Sequence, residues 1–217
     1  MTWMIVAATA IAFVFEFGLH PQHLESIIYL FGIVPARYSH PDWALRVGFP
    51  IDSYWPFLTS IFLHAGLLHI VGNMWMLWIF GDNVEDRMGR GRFLVFYLLC
   101  GVIAGLVHWW SNPHSDVPVV GASGAIAGVL GAYLALFPRA RVETLLLLLF
   151  WPVFLEVPAI LFLGIWFGIQ LLSGTAALLG PQQVGGIAWW AHIGGFAAGV
   201  VLHRMFLPRR KPTWEFR

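Results

Sequence analysis

The chain has 217 residues, of which 59% are hydrophobic and 11% are charged, and its formal net charge is +1. An ordinary soluble domain carries about 25% charged residues, so this composition excludes a soluble globular protein and predicts a polytopic membrane protein. Cys100 is the single cysteine, which excludes an intramolecular disulfide and a thiolate metal cluster.

Apolar runs of roughly 20 residues predict membrane-spanning helices. The second helix is expected to start near Leu67, and prolines around residues 152–158 separate an interfacial segment, 145–153, from a fifth helix. The six predicted spans are residues 3–18, 67–81, 93–110, 119–137, 154–173 and 187–206. The predicted fold class is therefore an all-α polytopic membrane protein. Its six transmembrane helices form a compact bundle in one domain, residues 1–217, with a long first outer loop over residues 19–56.

Lysine and arginine are concentrated on one side of these spans. Ten of the twelve basic residues fall on the side of the N-terminus, and only Arg37 and Arg46 fall on the other. Cytoplasmic loops carry an excess of such residues, so both termini are predicted to be cytoplasmic. The expected location is a bacterial or archaeal cell membrane. The basic tail "RRKPTWEFR" is expected to bind anionic lipid and not nucleic acid.

Three predicted helices place polar side chains at one depth. Ser123, His192 and Asn73 each lie roughly 5–10 Å below the outer end of their helix, at a rise of about 1.5 Å per residue. His69 lies one turn above Asn73. Ionisable groups at such depth are costly and usually face a bundle interior or a water cavity. This layer therefore predicts a functional site.

Glycines indicate which helices touch. Gly124 and Gly128 share one face of helix 4, while Gly195 and Gly199 lie on the face of helix 6 that carries His192. Small residues at this spacing let membrane helices approach closely. We therefore expect helices 4 and 6 to pack tightly enough for a hydrogen bond between the serine and the histidine of the polar layer.

A serine beside a histidine base is an activated nucleophile. We predict a catalytic dyad of Ser123 and His192 with no third member, because no Asp or Glu is expected in this layer. Acyl transfer also needs donors for the developing oxyanion. His69 and Asn73 project from one face of helix 2. The turn that starts at Gly121 is expected to offer free backbone N–H groups, including that of the nucleophile, where helix 4 begins.

Four segments resemble, in order, the motifs of the rhomboid family of intramembrane serine proteases. They are "HAGLLHIVGN" (64–73), "GDNVEDRMG" (81–89), "GASGAIAG" (121–128) and "AHIGGFAAG" (191–199). The resemblance implies Ser123 as nucleophile and His192 as general base, with an oxyanion hole made by His69, Asn73 and the Ser123 backbone N–H. It implies that loop 19–56 lies laterally and dips into the membrane.

The same resemblance implies the partners of the protein. They are the lipid bilayer and single-span transmembrane substrates, which are cut near small, helix-destabilising residues. It implies neither a metal nor a cofactor, and nothing in the sequence suggests a phosphate loop or a carboxylate cluster.

Two positions depart from the family pattern. Many members have Trp-Arg in the first loop, where this chain has Trp55 followed by Pro56. Some members carry an aromatic residue one turn after the nucleophile that packs on the base, where this chain has Ala127. The role of the arginine must therefore be absent or met elsewhere, and another group must hold His192.

Two other functions fit parts of the pattern. A transporter of metal ions or protons would use His64, His69 and His192, but it would need an acidic residue in the layer and paired broken helices in repeated halves. A non-catalytic relative that escorts membrane helices would be preferred only if the serine or the histidine were missing. We interpret His64 as structural, and we expect His108 to be solvated at the outer end of helix 3.

Overall fold

The structure is a computed structural model that describes residues 1–148, 151–179 and 188–208. The predicted start of helix 6 at residue 187 and the basic tail from residue 209 lie outside the described residues. The elements are α1 (Thr2–Phe17), α2 (Pro21–Phe31), α3 (Pro35–Ser39), α4 (Pro41–Arg46), α5 (Pro56–Thr59), a 3₁₀ turn (Ser60–Phe62), α6 (Leu67–Met88), α7 (Arg90–Ser111), α8 (Ser123–Leu136), β1 (Arg141–Leu148), β2 (Trp151–Pro158), α9 (Ala159–Leu179) and α10 (Trp189–Phe206).

Two of these helices, α7 and α9, are long and apolar enough to cross a membrane. A third candidate is the pair made by Pro56–Phe62 and α6, which is bent by 93° at its break. Helices α1 and α8 are apolar but shorter. The prediction of a mostly helical chain with membrane-length apolar helices is thus confirmed, and the six-span bundle stays a prediction.

Residues 141–158 depart from the predicted fold class. Strands β1 and β2 pair antiparallel, with Leu145 opposite Phe154. Helix α9 consequently begins at Ala159 and not at Phe154, so the all-α prediction is wrong for this segment. The physical reason is that Pro152 cannot donate a helical hydrogen bond, whereas the Val, Phe and Trp residues around it favour strands.

Helix α8 begins later than predicted. Val119 lies in an extended segment, where its backbone exchanges hydrogen bonds of 3.0 and 2.8 Å with Ile33. The chain then turns at Gly121, whose N–H donates to the Ser60 carbonyl at 2.9 Å. Helical conformation starts only at Ser123, so this serine is the first residue of α8 and does not lie one turn inside it.

Between α1 and α5 the chain folds into three short helices, and each of them begins with a proline. The buried Arg37 guanidinium donates from Nη2 to the Pro50 carbonyl at 2.6 Å and from Nη1 to the Leu30 carbonyl at 3.2 Å. These bonds close the segment on itself. An arginine therefore ties this region together although Pro56 follows Trp55.

Helix α8 is the central helix of the described bundle, in contact with α6, α7 and α10. Ten of its 14 residues are buried, and they lie on every side of the helix. A helix that is apolar all round is expected in such a position, because it has no face that suits water. Its first residue, Ser123, is half-buried.

Helices α8 and α10 meet backbone to backbone. A Cβ atom added at Gly195 would lie 2.0 Å from the Gly124 carbonyl oxygen, and one added at Gly199 would lie 1.9 Å from the Gly128 carbonyl oxygen. A side chain at either α10 position would collide with main-chain atoms that cannot rotate away. The four glycines thus set the distance between the two helices.

Gly199→Ala is expected to lower the free energy of unfolding by about 1–3 kcal/mol, because overpacking forces the helices apart. The measurement is unfolding of the purified protein in mixed detergent micelles. Gly164→Ala on α9 is the matched control, since an added Cβ there meets nothing within 4 Å. The control should be neutral or slightly stabilising, because alanine favours helix over glycine. Equal stability of the two variants would contradict the close packing of α8 and α10.

Candidate active site

Helices α8 and α10 bring Ser123 and His192 into hydrogen-bond contact. The distance between Ser123 Oγ and His192 Nε2 is 2.8 Å. A nucleophile and its base need roughly 2.6–3.2 Å. The short serine side chain reaches the ring because the helices touch at Gly124 and Gly195, next to the two polar residues. At this distance an imidazole can activate a hydroxyl.

Helix α9 holds the second ring nitrogen of His192. The distance between His192 Nδ1 and Gln170 Oε1 is 2.8 Å. The buried Gln170 also donates from Nε2 to the Trp166 carbonyl at 3.3 Å, so its amide oxygen is the group that faces the imidazole. We therefore assign the ring proton to Nδ1, which leaves the lone pair of Nε2 free to accept from Ser123.

Gln170 is a partner of His192 that we did not predict, and the catalytic dyad itself stays a prediction. Among the described residues no carboxylate contacts His192, and the third partner is a neutral amide. The sequence did contain a signal, because Gln170 is the one amide or charged residue in the apolar run 160–172. Polar groups in membrane helices usually face the bundle interior.

Aromatic rings complete the surroundings of the base. The ring of Trp166 lies 5.9 Å from that of His192, and the ring of Trp189 lies 6.5 Å away, nearly perpendicular to it. Ala127, one turn after Ser123 on α8, has no ring that could do this. We expected another group to hold His192, and in the structure the surrounding groups belong to α9 and to the first turn of α10.

His69 and Asn73 lie beside the turn that leads into α8. A Cβ atom at Gly121 would lie 2.9 Å from His69 Nε2 and 3.8 Å from Asn73 Nδ2. Asn73 is buried, and its Nδ2 has no hydrogen-bond partner among the described residues. A buried donor without a partner is costly. The Ser123 backbone N–H also lacks an intrahelical acceptor, because it begins the helix. Hydrogen-bond donors thus lie around the N-terminal end of α8.

Gly121 is not one of these donors. Its N–H is already bonded to the Ser60 carbonyl, so the prediction that its backbone serves an oxyanion is wrong. The residue has φ +132°, a conformation that favours glycine. An added Cβ would also lie 2.8 Å from His69 Cε1. Gly121 therefore provides space for the imidazole.

A buried carboxylate lies beside the loop that precedes α6. Glu16 of α1 is 2% exposed, and its Oε2 accepts a hydrogen bond of 3.1 Å from the His64 backbone N–H. The His64 ring packs edge-on against His69, with 5.0 Å between centroids, and the Ala122 N–H lies 3.5 Å from His64 Nε2. Glu16 and His64 thus support the loop before α6, and neither contacts the base.

His108 is buried and not solvated as predicted, since it is 8% exposed. The reason is that the segment after α2 covers the end of α7. There Trp109 Nε1 donates to Ser39 Oγ at 2.8 Å, and the Ala36 backbone N–H donates to the Ser115 carbonyl at 2.8 Å.

Comparison with known proteins identifies the family. A family model described as Rhomboid domain matches residues 52–209. The chain belongs to the rhomboid family. The matched range contains Ser123, His192, Gln170, His69 and Asn73. Together with the apolar helices, membership of this family makes the chain an integral membrane protein.

Similar proteins come from a bacterium and from animals. The chain is 43% identical over 88 residues to Rhomboid protease GluP of Bacillus subtilis (strain 168), which covers 40% of this chain and 17% of that protein. It is 30% identical over 171 residues to the Presenilin-associated rhomboid-like protein, mitochondrial, of Mus musculus, which covers 72% of this chain and 40% of that protein. The chain is also 30% identical over 175 residues to Presenilin-associated rhomboid-like protein A, mitochondrial, of Danio rerio. This match covers 74% of this chain and 41% of that protein. The chain thus spans less than half the length of these relatives.

Gln170→Leu is expected to lower kcat about 10- to 100-fold, because the base loses one buried hydrogen bond that fixes its tautomer. The measurement is steady-state cleavage of a reporter substrate in detergent micelles. Gln170→Glu keeps an acceptor at the same place and should retain more activity than the leucine variant. Full activity of Gln170→Leu would show that the amide does not orient the imidazole.

Proposed function

We propose that this rhomboid protein is an intramembrane serine endopeptidase in which Ser123 and His192 cleave transmembrane segments of single-span proteins. The observation that carries the proposal is the 2.8 Å contact between Ser123 Oγ and His192 Nε2, with the opposite ring nitrogen held by Gln170. Ser123 is thus oriented toward a base that has one free lone pair. A serine that only packed between helices would need no such partner.

In the first step Ser123 Oγ attacks the scissile carbonyl carbon, and His192 Nε2 accepts the hydroxyl proton. The C–N bond then breaks, and His192 returns that proton to the leaving amine, which gives an acyl-enzyme. A water molecule next attacks the ester, with His192 as its base. The proton finally goes back to Ser123 Oγ as the new carboxylic acid departs. The reaction needs neither a metal nor a cofactor.

The oxyanion hole in this proposal is formed by Asn73 Nδ2, His69 Nε2 and the Ser123 backbone N–H. The buried, unpartnered Asn73 Nδ2 supports the assignment, because a negatively charged oxygen would supply the acceptor that it lacks. Gly121 contributes by its missing side chain, which keeps this volume open. Donors fixed before the reaction are worth most, because they do not have to reorganise during it.

The proposed membrane arrangement is one domain, residues 1–217, with six spans made by α1, α6, α7, α8, α9 and α10. In this arrangement both termini are cytoplasmic, and the segment with α2, α3 and α4 is the long first loop on the outer side. Six of the eight described arginines lie at the end of the bundle opposite Ser123, which supports this orientation. A bacterial or archaeal membrane stays a prediction, because the relatives include bacterial and mitochondrial proteins.

The short α8 supports access of water to the site. Its 14 residues extend about 21 Å at 1.5 Å each, which is less than the roughly 30 Å of a bilayer core. The helix can therefore begin below the outer surface, where a polar layer can hold the water that deacylation needs. A substrate helix must unwind to expose its carbonyl, so small or helix-destabilising residues are the expected cleavage sites.

Transport of metal ions is less well supported by the same contacts. A metal-bound histidine gives its lone pair to the metal, whereas the His192 lone pair faces the Ser123 hydroxyl at 2.8 Å. The other nitrogen is engaged with Gln170. Both nitrogens thus have partners that suit acyl transfer.

Ser123→Ala and His192→Ala are each expected to abolish cleavage of a single-span reporter with a small-residue break near its outer end. The measurement is the appearance of two fragments on a gel, with protein in liposomes. Ser26→Ala is the matched control, because this exposed hydroxyl bonds only to the Gln22 carbonyl one turn earlier. Labelling of wild type, but not of Ser123→Ala, by a fluorophosphonate separates a wrong reporter from a wrong nucleophile. Cleavage by Ser123→Ala would overturn the proposal.

Asn73→Ala is expected to lower kcat/KM about 10²- to 10³-fold, the usual loss for one oxyanion donor. The rate of fluorophosphonate labelling should fall with it, because that reaction also builds negative charge on an oxygen. Asn83→Ala is the control on the same helix, since Asn83 is exposed and donates only to the Ile79 carbonyl. Equal loss in the two variants would remove Asn73 from the proposed oxyanion hole.

A further inference from the structure

The hairpin formed by β1 and β2 separates its polar and apolar residues along its length. Its base, next to α8 and α9, carries the ion pair between Arg141 and Glu156, at 3.2 Å, together with Glu143 and Thr144. From the Thr144–Leu155 pair outward, large apolar side chains are exposed: Leu145, Leu146, Trp151, Phe154 and Leu155. We call these five residues the apolar end of the hairpin.

This distribution is not that of a hairpin in water. A water-facing antiparallel pair alternates apolar and polar residues, so that one face is buried and the other is solvated. Leu145 and Leu146 are consecutive and therefore point to opposite faces, yet both are exposed, by 51% and 42%. Phe154 and Leu155 repeat the pattern on the other strand, with 64% and 43% exposed. Both faces of the apolar end thus suit a non-aqueous surrounding.

We propose that the apolar end of the hairpin inserts into the lipid leaflet at the end of the bundle opposite Ser123. The first turn of α9 follows β2 directly and exposes Ile160 and Leu161, by 59% and 53%, so the apolar end continues an apolar surface of the bundle. The inserted residues and this surface then contact the same leaflet.

Charged groups at this end of the bundle place the base of the hairpin at the lipid headgroups. Arg141 at the hairpin base and the exposed Arg139 lie beside the end of α8, and Arg87 lies over the Phe137 ring at 5.6 Å. Because Arg141 pairs with Glu156 and Glu143 lies beside them, the base carries both signs of charge and suits the polar headgroup layer. The base of the hairpin therefore lies at the headgroups, with its apolar end directed into the acyl chains below them.

Backbone chemistry limits the depth. A pair of strands has two open edges, and unpaired N–H and C=O groups are excluded from the hydrocarbon core. Pro152 reduces this cost because it has no N–H. Trp151, which is 78% exposed, is of the residue type enriched at the membrane interface. The hairpin therefore inserts shallowly, at the boundary of headgroups and acyl chains, and does not span.

The test is site-directed fluorescence in the full chain. Phe154→Cys is labelled with the environment-sensitive dye NBD and reconstituted into liposomes of phosphatidylcholine and phosphatidylglycerol. Glu143→Cys, at the base of the same hairpin, is the matched control. Wild type is the blank, since its single cysteine, Cys100, is buried. The label at Phe154 should emit at shorter wavelength and be quenched roughly two-fold more strongly than the control by lipids with doxyl groups on their acyl chains.

Two results would overturn the proposal. Quenching of the Phe154 label by aqueous iodide, with no response to doxyl lipid, would place the apolar end in water. Disulfide crosslinking of unlabelled Phe154→Cys between two molecules, at unchanged yield when protein is diluted in lipid, would show that a second copy covers it. Leu145→Cys, directly opposite in the strand register, repeats the measurement if Phe154→Cys does not fold. The readout does not depend on protease activity.

Discussion

The contact between the backbones of α8 and α10 is the constraint on which the rest of the site depends. Two carbonyl oxygens of α8, those of Gly124 and Gly128, occupy the places where side chains at Gly195 and Gly199 would begin. At ordinary helix spacing, about 8–10 Å between axes, a serine would not reach a histidine on the next helix. Here the helices are closer, and the resulting hydrogen bond lies in a low-dielectric bundle where such bonds are stronger.

The nature of the third partner follows from the same surroundings. A carboxylate beside His192 would stabilise the imidazolium, but burying its charge among apolar helices would carry a large desolvation cost. Gln170 fixes the tautomer through a neutral oxygen, and its own orientation is fixed by the Trp166 carbonyl. The amide stabilises an imidazolium less than a carboxylate would, but no negative charge has to be buried beside the ring. The buried carboxylate of Glu16 is bonded to the backbone of the loop before α6.

The parts that could be predicted from sequence are those with few alternative explanations. Ser123 and His192 lie in apolar runs and are each followed by glycines at helical spacing, a pattern that predicts a close polar contact between two helices. The start of α6 at Leu67 could be predicted because Gly66 and His64 interrupt the apolar run before it. The hairpin could not be predicted, since a short apolar run fits strand and helix equally. The bond from the Gly121 N–H to the Ser60 carbonyl could not be predicted either, because it joins segments that only the tertiary fold brings together.

Helix α9, which carries Gln170, is less buried than α7, the other helix that is long and apolar enough to cross a membrane. Its Gly164 and Gly168 meet no neighbour within 4 Å, whereas Gly174 packs against α10 and accepts a hydrogen bond from Trp190 Nε1 at 3.2 Å. Bilayer thickness acts on exposed helices of this kind through hydrophobic mismatch. A tilt that withdrew Gln170 would free the His192 ring to carry its proton on Nε2, where it could no longer accept from Ser123. The tautomer of His192 would then depend on the thickness of the lipid that surrounds the protein.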